Sequence, residues 1–425
     1  MVGKSLSKGA FEISKEVKEQ EAKFGKDAVI NSTIGTFYNE EENLDVIDTI
    51  ENLYKSLKAV DIFGYASGIS GSAEYKEAVK ENVFGVYKSV FDEKSFVGVS
   101  STPGGTGAIH NTLKGYMDAG ETVLLPNFMW DTYKNLAAAN DLKYELYTLF
   151  DEDNFNLKDF SEKVLNIAKA QKKVLVVIND PCQNPTGYSL SLDEWKEVIE
   201  ILKKAAEYGE VILLNDIAYI DYDFRGAVKS REYMTLFTGL PENILVIMAF
   251  SMSKSFTSYG IRAGAQVAIS SSKKVINEFD ITSTFLCRTS WSNTSRGGMS
   301  LLSEIYKNKD ILKEVEDKRT EMTKLLEKRA NIFLKDAKES GLKICPFRSG
   351  FFVTIPLSDE NKKEIIDDLK SKKVFVLPVS GGIRIAICSV PCKKLNSLAH
   401  TIADSIKNLV NREMGGDLFE TRIFN

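Results

Sequence analysis

Histidine is nearly missing from this chain. Its 425 residues include only His110 and His400. Chemistry that needs a histidine pair, or a metal held by three histidines, has almost nothing to build with. Cysteine is sparse as well. Cys182, Cys287, Cys345, Cys388 and Cys392 are odd in number and loosely spaced, which argues against a disulfide framework. Cys388 and Cys392 have no second pair beside them, so no metal site is expected. No run of about 18 apolar residues occurs, so no transmembrane helix is expected. Residues 1–26 carry no apolar segment of the kind that directs export. Reduced thiols and a cytoplasmic location are the expectation. An excess of one charge is lacking too: 55 basic residues meet 59 acidic ones, leaving a net charge of −4. Nothing in that balance points to nucleic acid or a membrane surface as a partner.

What remains is a globular composition. Hydrophobic residues make up 43% and charged residues 27%, which excludes a disordered, collagen-like or coiled-coil chain. The length suits several domains, or one large α/β unit with a smaller one. The middle of the chain alternates apolar runs with helical patterns. Strands are predicted at Phe96–Ser100, Thr122–Leu125, Val174–Ile178, Val211–Leu214, Ile244–Phe250 and Ala265–Ile269. Their unbroken Val, Ile and Leu content fits strands buried on both faces of a mostly parallel sheet. Helices are predicted between them, at Gly107–Met117 and Leu192–Tyr208. Met299–Ser340 reads as one or two long amphipathic helices. Short strands near Phe351–Ile355, Val374–Leu377 and Ile383–Ile387 and a closing helix from Lys394 to about Arg412 complete a smaller α+β unit. The first fifty residues hold an amphipathic helix and a turn at Thr33–Thr36, expected to pack on that smaller unit. The expected division is an arm at 1–50, a large α/β domain at 51–298 and a small domain at 299–425.

Polar residues gather where these strands end, which is where open α/β sheets bind ligands. Ser101–Ala108 is glycine-rich and opens a helix, so its backbone N–H groups suit an anion. It completes neither a Walker A nor a GxGxxG pattern, and a bare tight turn would explain it equally well. Asn179–Gly187 carries two prolines and a glycine around Asn184, whose amide suits a ligand oxygen, though an Asn-Pro turn has the same look. Asp216 ends an apolar strand with Tyr219 close behind. A buried acid is costly unless paired, and a cation would pair it. Ser251-Met-Ser-Lys254 follows the next strand, and Arg262 comes eight residues later. A lysine at a buried strand end loses solvation, its pKa falls, and its amine becomes a nucleophile able to form a Schiff base. Ser251 and the forked donors of Arg262 suit a phosphate.

One lysine amine, one strand-end acid, an Asn, a Tyr and an anion pocket are the parts needed to hold pyridoxal 5′-phosphate. In their order and spacing, from about Ile34 to Ile387, these motifs resemble the class I aminotransferases of fold type I. The likeness is greatest to the aspartate and aromatic amino acid branch. The resemblance implies roles. Lys254 would carry the cofactor covalently and shuttle the proton. Asp216 would keep the pyridine nitrogen protonated. Asn184 and Tyr219 would bind its phenolic oxygen. Gly105, Thr106, Ser251 and Arg262 would hold the phosphate, and Trp130 would lie over the ring. Arg384 would bind the substrate α-carboxylate, with a backbone contact from Gly35. The resemblance also implies a homodimer with shared sites. Tyr65 would reach the neighbour's phosphate, Ser292 or Asn293 would contact it too, and Arg288 would lend its charge to a substrate's side-chain carboxylate.

Some positions depart from the family pattern. Gln183 stands where a histidine often precedes the Asn, and Tyr133 is nearest to a second common histidine. The spacing after Tyr65 is one residue longer, with Gly71 in the glycine position. The activity implied is ping-pong transfer of an amino group from an aspartate-type or aromatic L-amino acid to a 2-oxo acid such as 2-oxoglutarate. A β-lyase or decarboxylase is the alternative on the same fold. A non-catalytic ligand-sensing regulator would need a DNA-binding domain ahead of residue 34.

Overall fold

The computed structural model describes the backbone of residues 10–413 and the side chains of residues 13–409. The stretch 1–26, read for export, and the two outer expected domains lie partly outside that range. Every strand predicted in the middle of the chain forms, and all join one seven-stranded sheet. Across it the order is Phe96–Thr102, Gly264–Ser270, Ile244–Ser251, Glu210–Asp216, Lys173–Asn179, Thr122–Pro126 and Lys143–Tyr147. Gly264–Ser270 runs antiparallel to both neighbours; the other pairs are parallel.

Side-chain alternation explains the unbroken apolar runs. Val174, Val176 and Ile178 enter one core, while Leu175 and Val177 enter another. Val211 and Leu213 divide from Ile212 and Leu214 in the same way. Both faces are covered, so no polar alternation appears. The edge strand Lys143–Tyr147 escaped the prediction because its first two residues are exposed and it carries Lys143 and Glu145. Charge of this kind is usual on edges, where it discourages further pairing.

The helix predicted from Gly107 begins earlier, at Gly104, with Pro103 as its cap. Gly105 and Thr106 therefore stand in the first helical turn and not in a loop before it. Leu192–Ala206 starts on a capping box between Ser191 and Glu194. The long pattern after Met299 is two helices, Arg296–Lys307 and Lys309–Ser340. They break at Asn308, which is extended and whose Oδ1 accepts from the N–H groups of Asp310 and Ile311. The second helix ends at Gly341 in the left-handed region, φ 70°.

A three-stranded antiparallel sheet follows, ordered Phe352–Pro356, Gly382–Ala386 and Leu377–Val379. The strand predicted at Val374–Leu377 is split. Its first part, Val374–Phe375, pairs in parallel with Ile30–Asn31 instead. The closing helix is also split, into Cys392–Leu395 and Leu398–Glu413. Within the N-terminal segment a helix spans Ala10–Phe24, and Ile13, Val17 and Val29 cluster with Phe375. No helix among the described residues is long and apolar enough to cross a membrane.

Candidate active site

Parallel register brings the predicted sites together. Asn179 lies opposite Asp216, and Asp216 opposite Ala249. Two neighbouring strands thus end level and the third runs two residues further, to Ser251, so the segments carrying Asn184, Tyr219 and Lys254 leave from one edge of the sheet. Lys254 sits in the short helix Met252–Ser255, with its Nζ 5.2 Å from the centroid of the Tyr219 ring. Desolvation lowers its pKa to about 8; Asp216 opposes that shift, while Arg262 and Arg384 reinforce it. Such an amine is partly unprotonated near neutrality and so nucleophilic.

Asp216 is buried, and each carboxylate oxygen has a donor. The Tyr133 hydroxyl donates to Oδ2 at 2.6 Å, and the Ala218 N–H to Oδ1 at 3.1 Å. Burial raises the Asp216 pKa; the two hydrogen bonds and the Lys254 charge resist it. Asn179 ties the neighbouring loop down. Its Nδ2 donates to the Asp216 carbonyl at 2.8 Å, and its Oδ1 accepts from the Asn184 N–H at 2.7 Å. Tyr219 packs edge-on against Phe351 and Phe352, and Asn184 lies near enough to oppose slightly the rise in its pKa. Burial raises its pKa far enough to keep the phenol protonated.

An anion cradle lies alongside. Gly104 has φ +69°, and a Cβ there would come within 2.6 Å of Arg262 Nη2. Only glycine permits so close an approach of guanidinium and helix start. A Cβ on Gly105 would meet Ser251 Cβ at 3.4 Å, so that serine faces the same turn. Arg262 Nη1 donates to Ser253 Oγ at 3.0 Å and to the Tyr259 carbonyl at 2.9 Å. Free N–H groups at the start of a 13-residue helix, joined by a guanidinium and hydroxyls, favour a phosphate.

Arg384 is 6% exposed and anchored three ways. Nη1 donates to Asn184 Oδ1 at 3.0 Å, Nη2 donates to the Thr33 carbonyl at 2.8 Å, and Cζ lies 4.0 Å from the Phe352 ring centroid. Its Nε is buried with no hydrogen-bond partner. A buried orphan donor on a charged group is rare and suits an anionic ligand. Gly35 flanks it, since a Cβ there would reach Phe352 at 3.0 Å. Trp130 is half-buried and meets Tyr133 edge to face, centroids 5.6 Å apart. Tyr133, Asn179, Ser253 and Phe352 complete the arrangement. None was assigned a role by its own sequence motif.

The residues predicted to act across a subunit interface, Tyr65, Arg288 and Ser292 or Asn293, do not join this constellation within one chain. Tyr65 is 86% exposed, and Arg288 is exposed on the last turn of the helix Lys273–Ser290. The Tyr65 carbonyl accepts from Arg296, and Arg288 Nη1 donates to Ser292 Oγ at 2.9 Å. Asn293 reaches only the carbonyls of Ala66 and Gly68, at 3.5 Å.

The donor set fits pyridoxal phosphate: an amine of lowered pKa, a buried carboxylate, an Asn–Tyr pair, an anion cradle and an orphan guanidinium N–H. A site of this kind, on an α/β sheet, defines a pyridoxal-phosphate enzyme acting on amino acids. Comparison with known proteins narrows that class. Residues 27–402 match the family described as Aminotransferase class I and II. The aspartate aminotransferase of Escherichia coli (strain K12) is 25% identical over 315 residues, covering 73% of this chain and 77% of that protein. The aromatic-amino-acid aminotransferase of Pseudomonas aeruginosa is 28% identical over 235 residues, or 53% of this chain and 56% of that one. The crystal structure of an aminotransferase from Anaerococcus prevotii DSM 20548 superposes with a TM-score of 0.89 at 32% identity, covering 94% of this chain and 96% of that one. The chain therefore belongs to the class I and II aminotransferases. It is a pyridoxal-phosphate-dependent enzyme that transfers amino groups between amino acids and 2-oxo acids.

Proposed function

We propose that Lys254 is the catalytic amine of this aminotransferase and that its donors are dicarboxylic or aromatic L-amino acids. The observation that carries the reading is the pairing of a desolvated Lys254 amine with buried Asp216 at the ends of neighbouring parallel strands. The cofactor, when bound, supplies an electron sink for the bond broken at the substrate Cα. Lys254 Nζ would hold the cofactor covalently and would carry the Cα proton as its base. Asp216 presents a carboxylate to the ring nitrogen. Asn184 and Tyr219 donate toward the phenolic oxygen. Gly105, Thr106, Ser251 and Arg262 bind the phosphate, and Trp130 covers the ring. Arg384 orients the substrate α-carboxylate, helped by Gly35. The aspartate and aromatic names of the relatives support the donor classes. Purified enzyme mixed with single amino acids tests them through the visible absorbance of the bound cofactor. Aspartate, glutamate or an aromatic amino acid should change it. A response confined to other amino acids refutes the assignment, and so does normal transamination by Lys254→Ala.

The same reading makes the working form a cytoplasmic homodimer. Ile281, Phe285 and Arg288 follow i, i+4, i+7 spacing on one helix, so they share a face, and all three are exposed. Phe63 and Tyr65 are exposed as well. Exposed apolar side chains of this kind suit a subunit interface, and five free cysteines suit a reducing compartment. Arg288 would then act on the partner's substrate and Tyr65 on the partner's phosphate. Mixing Lys254→Ala with Arg288→Leu subunits tests this. Hybrid dimers regain aspartate activity if Arg288 acts across the interface and stay inactive if it acts within its own chain. The division at 1–50, 51–298 and 299–425 belongs to the same reading. It is supported by the pairing of Ile30–Asn31 with Val374–Phe375.

A further inference from the structure

Gln183 and Tyr133, the two departures noted in the sequence, are hydrogen-bonding groups that stay neutral. Gln183 Nε2 donates to the Phe128 carbonyl at 2.7 Å, and its Oε1 accepts from Thr186. Tyr133 is 1% exposed, lies at the start of the helix Thr132–Ala139, and donates to Asp216 at 2.6 Å. Neither histidine of the chain takes part. His110 Nδ1 lies 3.4 Å from Asn140 Nδ2, and His400 is bound to Asp336.

We propose that Tyr133 is a positioning residue that holds Asp216 in one orientation and in its charged form, without itself changing charge over the pH range in which an imidazole titrates. The geometry carries this. The carboxylate has one donor on each oxygen, Tyr133 on Oδ2 and the Ala218 N–H on Oδ1, so it cannot rotate without breaking a bond. The groups facing the pair are few: Lys254 and Tyr219 beside Asp216, and Tyr147 and Tyr219 beside Tyr133. Lys254 is the only cation among them, with Arg262 and Arg384 behind it. Burial and the adjoining Asp216 charge push the Tyr133 phenol well above its usual range, so its proton stays on and is always available to donate. A histidine there would switch between one charge and none near pH 6.5. A tyrosine leaves the local charge constant.

The inference rests on Asp216 serving the cofactor, as proposed above, and its test separates the two. Wild-type, Tyr133→Phe and Tyr133→His holoenzymes are compared. Borohydride-stable attachment of the cofactor to wild-type Lys254 comes first; without it the functional reading fails, and this inference with it. With it, cofactor dissociation constants are measured against pH and taken as ratios to wild type. Lys254 titrates in all three proteins and cancels. Tyr133→Phe removes one hydrogen bond to a charged group and should weaken retention about tenfold to a hundredfold. That ratio should grow as pH falls, because Asp216, with one donor fewer, protonates at a higher pH. Tyr133→His should restore retention on the acid side and bend at about pH 6–7, where imidazole titrates. If Tyr133→Phe binds as tightly as wild type at every pH, the proposal is overturned. It is equally overturned if retention falls by a pH-independent factor and Tyr133→His shows no bend, which is the mark of a structural role.

Discussion

Burying Lys254 carries a thermodynamic cost that can be measured in the cofactor-free protein. The folded amine titrates at about 8 against an ordinary 10.5, a lowering caused chiefly by desolvation. Between those values the unfolded chain holds a proton that the folded chain does not. Stability therefore rises with pH through that window. Below about pH 8 both states are protonated and the penalty is complete. Above about pH 10.5 both are neutral and it vanishes. At 1.36 kcal/mol per pKa unit the full penalty is about 3 kcal/mol. Lys254→Met keeps the side-chain length and removes the amine. Cofactor-free Lys254→Met should resist urea better than cofactor-free wild type by about 3 kcal/mol at pH 7, and the advantage should close as pH approaches 10.5. Any packing difference between Lys and Met is independent of pH, so the change in the gap isolates the charge. A gap that stays constant from pH 7 to 10.5, or a variant less stable at pH 7 with no convergence, would refute the claim that Lys254 is held desolvated.

Gly104→Ala should weaken cofactor binding by about tenfold or more. It forces a left-handed backbone on an L-residue, at about 1–2 kcal/mol, and drives a methyl into Arg262; unchanged affinity by absorbance titration would show that Arg262 yields freely. Asp221 accepts from Arg231 at 2.6 Å and from Arg319 at 3.1 Å in a buried cluster. Burial alone would raise its pKa, but Arg319 and Arg231 together hold it down at about 2. Asp221→Asn should cost about 3–5 kcal/mol by urea unfolding at pH 7. The stability Asp221 contributes is present above the ordinary carboxylate range and lost as pH falls toward 2, so the gap between the two proteins should shrink on acidification; a gap independent of pH would contradict this. Arg384→Leu should lower kcat/KM for every amino donor by about a hundredfold or more, since it removes charge-assisted bonds to a group all donors share. A loss confined to one donor class would assign Arg384 to the substrate side chain instead.

Lys254, Asp216 and Asn184 were legible because each interrupts or follows an unbroken apolar strand. In a doubly covered sheet polar residues collect where the strands end, and parallel register brings those ends to one edge. Tyr133 was not legible as Asp216's partner. It lies 83 residues before it, and nothing in its own surroundings says that its hydroxyl reaches that strand end. Asn179 reads as a strand terminus, although its amide bridges two loops. Gly104 reads as part of a loop, yet it begins the helix, with φ +69° and room for Arg262 beside it. Lys143–Tyr147 was missed because an edge strand need not be apolar.

Arg384, proposed above to hold the substrate α-carboxylate, shows why long-range contacts are hard to read from a sequence. Its guanidinium is bound by Asn184, 200 residues away, and by Thr33, 351 residues away. Both bonds span long closures, which no local pattern records. They also limit what Arg384 can offer. Nη1 and Nη2 each already spend a hydrogen on the protein, and Nε has no partner at all. A carboxylate arriving here is therefore met by the Nε edge and the remaining Nη hydrogens, against a plane fixed by Phe352. The N-terminal segment sets that orientation through the Thr33 carbonyl, and Ser32 beside it is tied to Phe375 by its N–H and its Oγ. A lysine in place of Arg384 would keep the charge but could not answer Asn184, Thr33 and a carboxylate in one plane. The residues just after the strand Ile30–Asn31 thus fix the orientation of Arg384 from the far end of the chain.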